Sequence, residues 1–105
     1  MSTIEKLAAT IAARASAAAD TSYTARLLAG GIEKCAKKFG EEAFELAMAA
    51  VQKDKTHTAN EAADVIYHLL VLLQASGVSL AEVENILAAR EAQSGLQEKA
   101  SRNGG

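Results

Sequence analysis

The chain has no proline and no tryptophan, a single cysteine, and aromatics at only 4% of its 105 residues. Each shortage excludes something. Without proline, and with many Ala, Leu, Glu and Lys residues, the chain favours long uninterrupted helices. Half of it is hydrophobic by count, but much of that share is alanine, which suits close helix packing better than a bulky aromatic core. Cys35 has no partner for an internal disulfide, and its apolar neighbours suggest core packing in a reducing compartment. A formal charge of −2 supplies no basic face of the kind nucleic-acid binding needs. No apolar run reaches membrane-spanning length, and the Met1 end lacks the pattern of a secretory leader. A cytoplasmic protein with neither nucleic acid nor membrane as partner is the expectation.

A chain of this length is one small domain and buries only a modest fraction of its surface. Self-association, most simply as a two-fold homodimer, follows as an expectation from size. The predicted architecture is all-α, with about five helices. Residues 1–93 form the domain, and residues 94–105 form a polar, mobile tail.

Ser2-Thr3-Ile4-Glu5 fits a capping box, and the stripe through Ile4, Leu7, Ala8, Ile11, Ala12 and Ala15 predicts a helix fading near Ala18 or Ala19. Asp20, Thr21 and Ser22 predict a polar turn, with Ser22 capping a short second helix that Gly30-Gly31 stops or bends. A third helix is predicted from Ile32 to about Val51, with Ile32, Cys35, Ala36, Phe39, Ala43, Leu46, Ala47 and Ala50 as its apolar positions. Gly40, inside it, signals either a close approach or a tolerated weakness of about 1 kcal/mol. Lys53–Asn60 reads as a polar connector, with a central fourth helix from about Thr58 to Ala75, ended by Gly77. Ser79-Leu80-Ala81-Glu82 opens a fifth helix running to about Ala92.

The acids lie on the third and fourth helices. At about 100° per residue, Lys34, Lys38, Glu41, Glu42 and Glu45 fall within an arc of about 100°, and Glu61, Asp64 and His68 within about 60°. If the two helices pack antiparallel, these faces oppose each other. Gathering carboxylates is unfavourable without a compensating cation, and such a local conflict often marks function. Hard oxygen ligands suit Mg²⁺ or Mn²⁺. Plainer readings stand beside this one. The acids can form a solvated face. Glu61 can close a third capping box, Thr58-Ala59-Asn60-Glu61. Asp64 can complement the helix dipole, and Lys38 can pair with Glu42. His68 reads as a hydrogen-bonded, partly buried histidine, Tyr67 as a wall or an adenine-stacking residue, and His57 as a surface residue of the connector.

Glu42-x-x-Glu45 followed by Glu61-x-x-Asp64 resembles the metal motif of the all-alpha, MazG-like nucleotide pyrophosphohydrolases. Around it, Ser22-Tyr23-Thr24-Ala25-Arg26-Leu27, then Lys34 and Lys38 before Gly40-Glu41-Glu42-Ala43, then Tyr67-His68-Leu69-Leu70 are similar to the phosphoribosyl-ATP pyrophosphohydrolase family. The resemblance runs from about Ile4 to Arg90. It implies a MazG-like bundle completed by dimerisation. It also implies Mg²⁺-dependent hydrolysis of phosphoribosyl-ATP to phosphoribosyl-AMP and pyrophosphate, the second step of histidine biosynthesis. Carried over, it makes Glu42, Glu45, Glu61 and Asp64 metal ligands and Glu41 a ligand or water-activating base. Arg26, Lys34 and Lys38 become phosphate contacts by charge and position. The alternatives are a MazG-like housekeeping hydrolase of nucleoside triphosphates and a non-enzymatic helical interaction module.

Overall fold

Among the described residues there are five helices: α1 (Thr3–Arg14), α2 (Tyr23–Ala29), α3 (Gly31–Val51), α4 (Lys55–Ala75) and α5 (Leu80–Gly104). No strand occurs among the described residues, so the all-α expectation holds. The computed structural model describes residues 1–18 and 22–104, with side chains as far as residue 93. The polar turn expected at Asp20 and Thr21 lies outside the described residues.

Local chemistry sets most of the boundaries. Ser2 Oγ accepts the Glu5 N–H at 3.1 Å, and Glu5 Oε1 accepts the Ser2 N–H at 3.1 Å. The capping box therefore starts α1 as the sequence predicts. The helix stops at Arg14, earlier than the predicted Ala18 or Ala19. The Ala15 N–H turns to Ala12 O, Ala17 to Arg14 O, and the Ser16 hydroxyl donates to Ala13 O. These tighter bonds compete with helix continuation. Ser22 Oγ caps α2 through the Ala25 N–H and also accepts from Arg14 Nη1. Gly31, at φ +85°, supplies the left-handed residue that turns α2 into α3. At the end of α4, Gly77 (φ +72°) donates to Gln74 O and Val78 to Leu73 O. This is a Schellman termination. The Ser79–Glu82 box then opens α5, its axis bent 110° from that of α4.

Two boundaries differ from the sequence reading. The predicted connector Lys53–Asn60 is much shorter, because Lys53 takes φ +61° and Asp54 becomes the N-cap, its carboxylate accepting the His57 N–H at 3.0 Å. The predicted third capping box is therefore absent. The Thr58 hydroxyl donates to Asp54 O, and Glu61 lies inside α4 rather than at its start. At the other end of the chain, α5 continues to Gly104 rather than ending near Ala92. Its Glu, Ala, Gln and Lys residues favour helix, and Gly95 costs only about 1 kcal/mol. Side chains of the predicted tail, 94–105, lie outside the described residues.

The core sits where α1 and α2 cross the α3–α4 hairpin. Ile11, Leu27, Cys35, Leu70 and Val71 are buried together, with Leu7, Ala8, Leu28, Ile66 and Leu80 packed around them. Burying one such aliphatic side chain contributes about 1.5–3 kcal/mol. The Cys35 thiol donates to Leu27 O, and burial pushes its pKa up, so it behaves as a core residue. As predicted, α4 is central and packs on α1, α2 and α3. The α3 stripe is covered only in part. Cys35 and Ala49 are buried and Phe39, Ala43 and Leu46 half-buried, but Ile32, Ala36, Ala47 and Ala50 are exposed. Phe44 (66% exposed) and Val51 (72%) are exposed too.

Candidate functional site

The turn of Gln52, Lys53 and Asp54 is too short for anything but a hairpin, so α3 and α4 run antiparallel. The electrostatic neighbours agree: Glu45 meets Glu61, Glu42 feels Asp64, and Lys38 feels His68. Numbers rise along one helix as they fall along the other. The two acidic faces identified by angular spacing are thus brought together.

Glu42, Glu45 and Glu61 each place a carboxylate oxygen within 4.8 Å of the others. Asp64 is exposed one turn further along α4, close enough to raise the Glu42 pKa. Glu42 itself is half-buried. Desolvation is the largest cause holding its carboxyl above the usual glutamate value, followed by Glu45 and Asp64; Glu61 adds to these, and Lys38 partly offsets them. Glu41 stays outside the group. Its carboxylate pairs with Lys38 Nζ at 3.6 Å, so Lys38 takes the i,i+3 partner rather than the predicted Glu42. Arg26, on α2, and Lys34, in the first turn of α3, are exposed. The Lys34 stem lies over Gly30, in the space a Cβ there would fill.

Glu61 is the most constrained acid. Its side chain is only 15% exposed. Oε1 lies 3.1 Å from His57 Nε2, one turn earlier on α4. Oε2 is buried with no hydrogen-bond partner among the described residues. A buried, unpaired carboxylate oxygen is costly, and a cation is the group that would relieve it. The donor set is all oxygen, as Mg²⁺ prefers. Two oxygens bound to one Mg²⁺ are at most about 4.2 Å apart at its usual bond length, so only small side-chain adjustments separate this cluster from a binding geometry. The residues present fit a hard divalent ion.

Beside the acids, a cavity of about 260 Å³ is lined by Phe44, Glu45, Met48, Ala49, Gln52, His57 and Glu61. A larger hollow of about 550 Å³, lined by Ala50, Lys53, Lys55, Thr58, Ala59 and Ala62, has no carboxylate among those residues; the smaller one is lined by Glu45 and Glu61.

Beyond Asp64, α4 carries an aromatic group. The Tyr67 hydroxyl hydrogen-bonds with Thr24 Oγ1 and ties α4 to α2. Tyr23 stacks near Tyr67 at 6.4 Å and 18°, and Tyr67 meets His68 edge-on at 5.0 Å. Tyr67 is thus a half-buried wall of the α2–α4 contact. His68 is 6% exposed, but its Nδ1 has no partner among the described residues, unlike the hydrogen-bonded histidine expected. Burial chiefly, and Lys38 next, push its pKa down, against Asp64.

Comparison with known proteins identifies the family. The family described as Phosphoribosyl-ATP pyrophosphohydrolase matches residues 4–91. The chain belongs to that family. A Phosphoribosyl-ATP pyrophosphatase of Cereibacter sphaeroides is 58% identical over 97% of this chain and 99% of its own length. Phosphoribosyl-ATP pyrophosphatase 1 of Rhodopseudomonas palustris is 56% identical over 95% and 94%, respectively. The Paracoccus denitrificans Phosphoribosyl-ATP pyrophosphatase is 57% identical over 94% and 92%. The phosphoribosyl-ATP pyrophosphohydrolase match spans every candidate residue from Arg26 to Asp64. It extends across the Ser22–Leu27 and Tyr67–Leu70 blocks that carried the resemblance.

The sequence reading had His57 exposed, as it is, but missed its contact with Glu61. Placed in a connector, it had no helical neighbour. The signal was there in Asp54, three residues before it: a capping aspartate puts His57 one turn ahead of Glu61 on the same face.

Proposed function

We propose that this chain hydrolyses 1-(5-phosphoribosyl)-ATP between its α and β phosphates, releasing 1-(5-phosphoribosyl)-AMP and pyrophosphate, the second step of L-histidine biosynthesis. The substrate assignment is carried by family membership and by near-full-length identity to proteins named phosphoribosyl-ATP pyrophosphatase. The convergence of Glu42, Glu45 and Glu61 supplies the chemistry.

Dependence on Mg²⁺, with Mn²⁺ as a substitute, is part of the proposal. Glu42, Glu45, Glu61 and Asp64 would hold the ion. When bound, it would neutralise phosphate charge and lower the pKa of the attacking water. Glu41, which pairs with Lys38 outside the carboxylate group, takes the role of accepting the proton of that water. Lys38 sits beside Glu41, within electrostatic reach of Glu42 and His68, and contacts the phosphates. Lys34, one turn before Lys38 on α3, and Arg26 on α2, both exposed, extend the cationic side toward the rest of the polyphosphate and the phosphoribosyl arm.

A homodimer belongs to the same proposal. Its support is the uncovered apolar stripe of α3, where Phe44, Met48 and Val51, at i, i+4 and i+7, are 41–72% exposed. Contiguous apolar surface of this kind marks an association site. Cytoplasmic residence is proposed with it; among the described residues no single helix is long and apolar enough to cross a membrane.

The test is a melting curve with and without Mg²⁺, alongside turnover. An ion that binds only the folded state raises the melting temperature by mass action. An unchanged melting temperature at saturating Mg²⁺, with no pyrophosphate released, would defeat the metal-centre reading.

A further inference from the structure

His57 lies outside the paired acidic motifs, yet its ring touches Glu61, whose side chain is only 15% exposed. We infer that His57 is a positioning residue for the centre, clamping one oxygen of Glu61 so that the other is left as the donor to the cation. The inference rests on the metal-centre reading above.

An ionised carboxylate only accepts hydrogen bonds, so at 3.1 Å His57 Nε2 carries the proton and Glu61 Oε1 receives it. The donor is itself anchored, because Asp54 Oδ1 holds the His57 N–H at 3.0 Å and fixes the first turn of α4. The result is a chain of contacts from Asp54 to His57 to Glu61. With Oε1 engaged, the Glu61 carboxylate cannot rotate freely. Oε2, buried and unpartnered among the described residues, is the oxygen that remains. Glu61 is grouped with Glu42 and Glu45, and His57 and Glu61 line the same cavity as Glu45. Hydrogen bonds to the non-ligating atoms of a ligand orient it, and their loss lowers metal affinity. A plain surface pair at this spacing would do no more than stabilise the helix slightly.

Calorimetric titration of Mg²⁺ into the wild-type protein, His57→Leu and His57→Gln separates the two roles. Leucine keeps bulk and helix propensity without a donor; the glutamine amide can place a donor where Nε2 stands. The melting temperature of each metal-free protein is measured in parallel. The expected result is that His57→Leu binds Mg²⁺ about ten-fold more weakly, that His57→Gln stays within about three-fold of wild type on the same scale, and that the metal-free melting temperatures change little. Equal affinity in wild type and His57→Leu would overturn the role of His57 and leave the metal centre standing. Equal weakening in both variants would also overturn it, since the donor would then not matter. Failure of the wild-type protein to bind Mg²⁺ would remove the metal centre and this inference together.

Discussion

The carboxylate of Asp54 accepts the backbone N–H of His57 at 3.0 Å, and this bond caps the first turn of α4. It starts the helix early enough that Glu61 is an interior residue facing Glu42 and Glu45 rather than a capping residue. Asp54→Ala should therefore cost about 1 kcal/mol, or about 4–8 °C in melting temperature. It should also weaken Mg²⁺ binding, although Asp54 is no ligand. Asp54→Asn, which can still cap, should restore most of both. Thermal melts and calorimetry on the two variants check this.

Glu45→Gln, Glu61→Gln and Asp64→Asn should each lower turnover by about 100-fold or more, since losing a ligand should cost at least as much as losing a ligand's support. Each should leave the metal-free fold intact, because each removes one of several crowded negative charges. Steady-state kinetics with circular dichroism reads both. Near-normal turnover in any variant would remove that residue from the ligand set.

Glu42 gives a pH signature. Desolvation, with Glu45, Asp64 and Glu61, outweighs Lys38 and holds its pKa above 4.5. The folded protein thus binds this proton more tightly than the unfolded chain. Stability from this group is present below pH 4.5 and is lost as the pH rises through the raised folded value. Metal-free Glu42→Gln should melt above wild type at pH 7, and the gap should close toward pH 4. Saturating Mg²⁺ should reverse the order at pH 7.

His68 has the opposite dependence. Burial, then Lys38, push its pKa below 6.5 against the pull of Asp64. Below pH 6.5 the unfolded chain takes up a proton that the folded protein resists. Its stabilising effect is complete above that value and is lost as the pH falls toward the folded one. Metal-free wild-type protein should lose stability between neutral pH and pH 5.5 more steeply than His68→Leu. Parallel slopes in chemical denaturation would refute the assignment.

Where side chains bond to their own backbone, the fold was legible in the sequence. Ser2, Ser22, Ser79, Gly31 and Gly77 mark helix ends at or within a residue of where they were expected. The start of α4 was misread because a threonine and a glutamate three apart mimic a capping box, while the true cap depends on Lys53 adopting positive φ. The acidic faces were legible because helical spacing fixes direction. The partner of Glu61 was missed because His57 was placed in a connector, and the buried Nδ1 of His68 was not legible, since it depends on how α4 is seated among its neighbours. Periodicity also counted Ile32, Ala47 and Ala50 as apolar face without saying what would cover them. Their exposure in a single chain is a question of packing rather than of pattern.

The most direct test of the account is the rate of pyrophosphate release from phosphoribosyl-ATP, set against ATP, dUTP and other nucleoside triphosphates, with Mg²⁺ and with chelator. Release from phosphoribosyl-ATP alone at a substantial rate, abolished by chelation, is the expected result. Comparable or faster hydrolysis of ordinary nucleoside triphosphates, or turnover indifferent to the metal, would contradict it.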